Sequence, residues 1–202
     1  MQERGKFVIP LFSAPQKLLE RVIAREEGWS LAATQAEDYY EKQLFELQQR
    51  GVCLIYLCAP LKPTPEKTGK EHILSALSAA AQITGAEYKE RKTAVWIPHY
   101  HALFVYNEFR YPEVREMGLS FTINLLARFK PVVVVFGERI SGGMQAEITK
   151  AQSLGLEVVP FTDFKHSLQN PPTQAQTGEI YNSLVSNSPP GFLDHPALLR
   201  TL

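Results

Sequence analysis

Four short apolar stretches recur between residues 51 and 161: VCLIYLCAP, TAVWIPH, VVVVFG and LEVVPF. Each is too short for a buried helix, and the first and third are apolar on both faces, as strands covered on both sides must be. Between them lie segments of helical period. TGKEHILSALSAAAQITG carries Thr68 and Glu71 at the spacing of a capping box and ends on Gly85, a plausible stop. YPEVREMGLSFTINLLARF has Pro112 near its first helical position and sets Val114, Met117, Phe121 and Leu125 on one face. GMQAEITKAQSLG supplies the third helix. The order β-α-β-α-β-α-β predicts a parallel sheet with helices on both faces, a three-layer α/β domain of four or five strands. Ligands of such sheets bind beyond the carboxyl ends of the strands, where strand order reverses.

The flanks read differently. Residues 1–50 hold an apolar FVIPLF and two amphipathic segments, APQKLLERVIAREEG and TQAEDYYEKQLFELQQRG. They form an N-terminal helical extension expected to pack on the α/β domain of residues 51–161 or to make a dimer contact. Residues 162–202 are rich in Pro, Gln, Asn and Ser and read as an irregular C-terminal arm with one short helix near TGEIYNSLVSN. A homo-oligomer would form through these terminal segments.

Charge narrows the partners. Lys plus Arg equals Asp plus Glu, 21 each, so no bulk field draws the chain to nucleic acid or an anionic membrane. The apolar patch near the N-terminus is too short for a signal peptide, and no apolar run is long enough to span a membrane. Cys53 and Cys58 fall on opposite faces of the first strand, so they read as two reduced core thiols, and the protein as soluble and cytoplasmic.

The chemistry gathers at GERISGGMQAEITKA, residues 137–151, directly after the third strand. A strand, a glycine turn and a helix start place backbone N–H groups and the positive end of the helix dipole where a ligand's oxygens can reach them. Gly142 and Gly143 permit close approach of the backbone, and Ser141 can cap the helix or bond the ligand. An ordinary tight turn that needs glycine only for its shape would look the same. Along the helix, Met144, Ile148 and Ala151 form the packing stripe, and Glu147 lies at its border, partly buried. Desolvation there raises a carboxyl pKa and the helix dipole lowers it. His99 and His101 flank Tyr100 after the second strand, but no third ligand accompanies them, so no metal and no cofactor is expected. Arg115 and Glu116 either pair with each other or contact a phosphate. Trp96 reads as core rather than as a stacking platform.

The stretches IYLCAP, VWIPHYHALF, PEVREMGL and VVVVFGERISGGMQAEITKAQSLGLEVV together resemble the nucleoside 2-deoxyribosyltransferase-like family, in its phage and bacterial branches. The resemblance covers roughly residues 52–161. It implies a Rossmann- or flavodoxin-like strand order of 2-1-3-4. It implies that Glu147 is a nucleophile for the anomeric carbon of a nucleoside, that Tyr56 orients its carboxylate, and that the Gly142–Met144 turn contacts the sugar or a 5′-phosphate. His99 would hydrogen-bond at the pocket mouth, and Pro60 would line the same cleft as Tyr56, Ser141, Gly142, Gly143, Met144 and Glu147. The chain departs from the family pattern twice. Ser141 stands where those enzymes have an Asp, and LSFTINLLARFK lacks the carboxylate that handles the base, the nearest being Glu113 and Glu116. Three functions follow. The first is an enzyme acting on an N-glycosidic bond, a transferase or hydrolase of nucleosides or nucleotides. The second is a non-catalytic binder or sensor of such a ligand. The third is an interaction protein that keeps the fold as a scaffold.

Overall fold

The computed structural model describes residues 29–98, 115–188, 193–194 and 198–199. It contains a five-stranded, mostly parallel sheet between helices. The elements in chain order are α1 (Trp29–Gln49), β1 (Cys53–Cys58), α2 (Gly69–Ile83), β2 (Glu87–Tyr88), β3 (Arg91–Trp96), α3 (Arg115–Phe129), β4 (Val132–Val135), α4 (Gly142–Ser153), β5 (Val158–Pro160), α5 (Phe161–His166) and α6 (Gln174–Ser186).

The strand order is β2-β3-β1-β4-β5. β1 pairs in parallel with both β3 and β4, and β4 with β5, which is the 2-1-3-4 order expected of the four apolar stretches. All six residues of β1 are buried, which explains why its sequence shows no polar alternation. Pro160 closes the edge strand β5, where its missing N–H removes no bond from the centre of the sheet.

Helix α3 packs against both α1 and α4, α1 and α4 pack onto β1, and α2 packs on β3 and carries α6. The two sets cover opposite faces, because alternate residues of β1 point in opposite directions. Tyr56 and Cys58 face the α3–α4 side, and Ile55 and Leu57 the other. The central helices begin as their sequences require. Thr68 caps α2, its side chain accepting from the Glu71 amide while Glu71 accepts from the Thr68 N–H. Gly85 follows the helix end at φ 77.

Several expectations need correction. Of the predicted α3 face, Phe121 and Leu125 are buried but Met117 is 46% exposed. The buried stripe instead runs through Gly118, Phe121, Thr122, Leu125, Leu126 and Phe129. Val114 lies outside the described residues, as do FVIPLF and the first amphipathic segment. Within residues 162–202 the short helix expected near TGEIYNSLVSN is present as α6, and a further helix, α5, precedes it. α5 buries Phe164 against the Tyr88 ring, 4.7 Å between centroids, and α6 lies on α2 behind its own capping box at Thr173 and Gln176. The polar composition of α6 reflects a helix with no fully buried residue.

The β2–β3 hairpin had no sequence signal. Its turn residues Lys89 and Glu90 adopt φ 48 and φ 63, the two-residue turn that ordinarily recruits Asn-Gly. The hairpin is held from outside. Tyr88 Oη donates to Glu157 at 2.6 Å, Lys89 Nζ to the same carboxylate at 2.8 Å, and Glu87 and Gln169 exchange both backbone hydrogen bonds at 2.8 Å. Arg91 donates to the carbonyls of Gly51 and Val52 at 2.9 and 2.6 Å. These ties lie at the amino ends of the strands, which leaves the carboxyl ends to the site.

Candidate functional site

The site is built on the last turns of β1 and the first two turns of α4. Cys58 ends β1 beside Val135 of β4, and its carbonyl accepts from the Phe136 N–H at 2.8 Å, carrying the ladder one residue past the strand. The chain then turns through Gly137, which sits at φ 114. Ser141 caps α4 in extended geometry, φ −77 and ψ 162, and its hydroxyl accepts from the Met144 N–H at 3.3 Å. Gly142 and Gly143 are the first two helical residues. Gly142 has no left-handed φ, and a Cβ placed on it would meet nothing within 4 Å. Neither turn shape nor crowding in the free protein therefore requires glycine there.

Met144, Ile148 and Ala151 are buried as the packing stripe. Glu147 is not at the border of that stripe but inside it, 1% exposed, and it is the only buried carboxylate among the described residues. The border position expected to leave it partly wet is closed over by the strand it faces. Cys58 Sγ donates to Glu147 Oε2 at 3.2 Å and lies 4.0 Å from the Met144 carbonyl oxygen. Burial, and then the neighbouring Glu147 carboxylate, push the Cys58 thiol far above its ordinary range, so it stays protonated as a donor.

Tyr56 is fully buried two residues earlier on the same face of β1. Its ring stands edge-on to Trp96 at 5.3 Å, and Trp96 in turn stands edge-on to Phe121 of α3 at 6.4 Å. Trp96 is thus core, as expected from the sequence. Burial, then Glu147 and Cys58, raise the Tyr56 phenol well above its usual value. Its hydroxyl feels both Glu147 and Thr122 but closes a well-formed hydrogen bond with neither. Thr122 spends its own proton on the Leu119 carbonyl at 2.9 Å.

The structure therefore brings Tyr56, Met144 and Glu147 together, and sets Ser141, Gly142 and Gly143 at the head of the helix that carries them. Pro60 lies just past β1, where it braces Gly137 and lines a small apolar crevice with Leu61, Ile73, Leu77 and Ile97 on the α2 side. Glu116 is exposed in the first turn of α3. His99, Tyr100, His101 and Glu113 lie outside the described residues, as does the side chain of Arg115. Among the described residues no cluster of three His, Cys, Asp or Glu could hold a metal. No helix among them is long and apolar enough to cross a membrane. Two residues escaped the sequence reading. Cys58 looked like one of two core thiols, and Thr122 like an ordinary helix residue. Only the i, i+2 spacing of Tyr56 and Cys58 signalled that both share a face.

These features define a doubly covered parallel α/β domain with a buried carboxylate at the carboxyl end of its central strand. The chain belongs to the family described as a domain of unknown function, DUF7768, whose model matches residues 53–161, more than half of the 202-residue chain. No curated protein and no solved structure matches it.

Proposed function

We propose that this protein acts on the N-glycosidic bond of a nucleoside or nucleotide, as a transferase or hydrolase, with Glu147 as the nucleophile. One observation carries the reading. The only buried carboxylate among the described residues lies at the carboxyl end of the central strand, on the first turns of a helix whose opening Gly142 leaves open space. That is where parallel α/β domains bind ligands, and a desolvated carboxylate there has a reason other than stability. A Glu147 oxygen attacks the anomeric carbon, and the bond to the base breaks. The base leaves with the bonding pair and takes a proton from solvent. The resulting glycosyl ester is released by water or by a second base. The Gly142–Met144 turn, at the positive end of the α4 dipole, contacts the sugar or its phosphate.

A second reading, a non-catalytic binder of the same ligands, is favoured by one fact. Among the described residues no other carboxylate is buried with Glu147 to protonate the leaving base. Incubation with a panel of nucleosides, nucleoside monophosphates and NAD-like dinucleotides separates the two, with released base followed by chromatography and binding by thermal shift. Glu147→Gln is expected to abolish release and keep the ligand-induced shift. A wild-type protein that shifts but never releases base is a binder. One that does neither with any ligand leaves the scaffold reading.

A further inference from the structure

We infer that Cys58 is the positioning residue for Glu147, and that the Tyr56 hydroxyl is left to donate to the bound ligand. The inference rests on the reading above for the reaction it serves, though not for the hydrogen bond itself. It reverses the division of labour that the sequence resemblance implies, in which Tyr56 orients the carboxylate.

The first observation is the contact. Cys58 Sγ reaches Glu147 Oε2 at 3.2 Å, short for a sulfur donor. A weak neutral donor gains from an ionised acceptor in a dry site. The thiol cannot drift, because the backbone of Cys58 is fixed on both sides. It pairs with Val135, and its carbonyl accepts from Phe136. A helix residue, Glu147, is thereby locked to the central strand.

The second observation is independent. Tyr56 Oη is fully buried and has no hydrogen-bond partner among the described residues. Buried hydroxyls are rarely left so, because the lost hydration is not replaced. The ring cannot swing away, since Trp96 holds it edge-on at 5.3 Å. Thr122 already donates to Leu119, so its proton is not available to Tyr56. The Tyr56 hydroxyl therefore lies beside Glu147 without a closed hydrogen bond among the described residues, and is left to donate to an acceptor on a ligand. A hydroxyl or ring oxygen of the sugar, delivered to the anomeric attack position, has that chemistry.

The full-length protein tests both halves. The Cys58 S–H stretching band is isolated by infrared difference between wild type and Cys58→Ala. Glu147→Gln is expected to move that band to higher frequency, as a weaker acceptor replaces the carboxylate. An unmoved band overturns the positioning role, whatever the protein's activity. On the ligand that the panel selects, Cys58→Ala is expected to lower kcat about tenfold to a hundredfold with KM within about twofold. Cys58→Ser restores part of that loss with a hydroxyl donor, and it stands in if Cys58→Ala fails to fold. Unchanged kcat in both variants of an active protein overturns the proposal. Tyr56→Phe is expected to weaken ligand binding while leaving the Cys58 band in place. Unchanged binding refutes the ligand-facing hydroxyl. If wild type binds and cleaves nothing in the panel, the N-glycosidic reading fails, and the band alone decides whether Cys58 holds Glu147.

Discussion

A Cβ built on Gly137 would lie 3.0 Å from Cδ and 3.2 Å from Cγ of Pro60, so the two residues interlock where the chain leaves β4 for α4. Gly137 also sits at φ 114, a region that side chains rarely enter. Gly137→Ala is therefore expected to cost about 2–3 kcal/mol, from backbone strain and from the clash with a rigid ring. Chemical denaturation measures it. An unchanged midpoint would mean that the loop relaxes freely and that Pro60 braces nothing.

Gly142 gives the opposite expectation for folding. It has ordinary φ and open space around it, at the first position of α4. Gly142→Ala should leave stability unchanged or raise it by about 0.4–1 kcal/mol, by restricting the unfolded chain. If the turn lies against the ligand, the same methyl should weaken nucleotide binding on the order of tenfold, about 1.4 kcal/mol. Calorimetric titration beside a thermal melt separates the two effects. Full affinity in the variant would remove the turn from the binding surface.

Glu37 in α1 has its pKa pushed up from 4.5 to about 7, first by burial and then by Asp38 and Glu41. Because the folded value is the higher one, the folded state holds this proton more tightly than the unfolded state. Stability from this group is greatest below 4.5, falls as pH rises to about 7, and is flat above. Glu37→Gln should therefore stabilise the protein above neutrality and change little below pH 4.5. Melting temperatures of both proteins from acid to mildly alkaline pH check it. A gain that is equal at every pH contradicts the assignment.

Glu157 behaves in the reverse sense. Burial raises its pKa, but the hydrogen bonds from Lys89 and Tyr88 outweigh that and leave it below 4.5. Its contribution is present above the unfolded value and is lost as pH falls through the lower folded value. Glu157→Gln should lower the melting temperature at neutral pH, and the gap from wild type should close in acid. Parallel acid-melting curves would place the hairpin anchor elsewhere.

Where local pattern and local energy agree, the sequence was sufficient. The apolar β1 and β4, the Thr68–Glu71 box and the stripe of Met144, Ile148 and Ala151 could be read directly, because each depends on neighbours within a few positions. The β2–β3 hairpin could not. Lys89 and Glu90 take left-handed backbone because contacts with Glu157, some 68 residues on, hold the turn there. The buried phase of α3 was shifted for a similar reason, since α1 and the sheet together choose which side is covered and Met117 is left outside.

The site divides along the same line. Sequence alone determined that a glutamate would stand one turn into a helix behind a glycine turn at the carboxyl end of a parallel sheet. Helical period and crossover handedness fix that much. Only the tertiary structure decided that Glu147 is dry rather than half-wet, that a thiol 89 positions away donates to it, and that the Tyr56 hydroxyl beside it closes no hydrogen bond among the described residues. Burial and hydrogen-bond partnership are properties of two surfaces meeting. A sequence states what each surface carries, whereas the packing of α4 on β1 decides which atoms are excluded from water together.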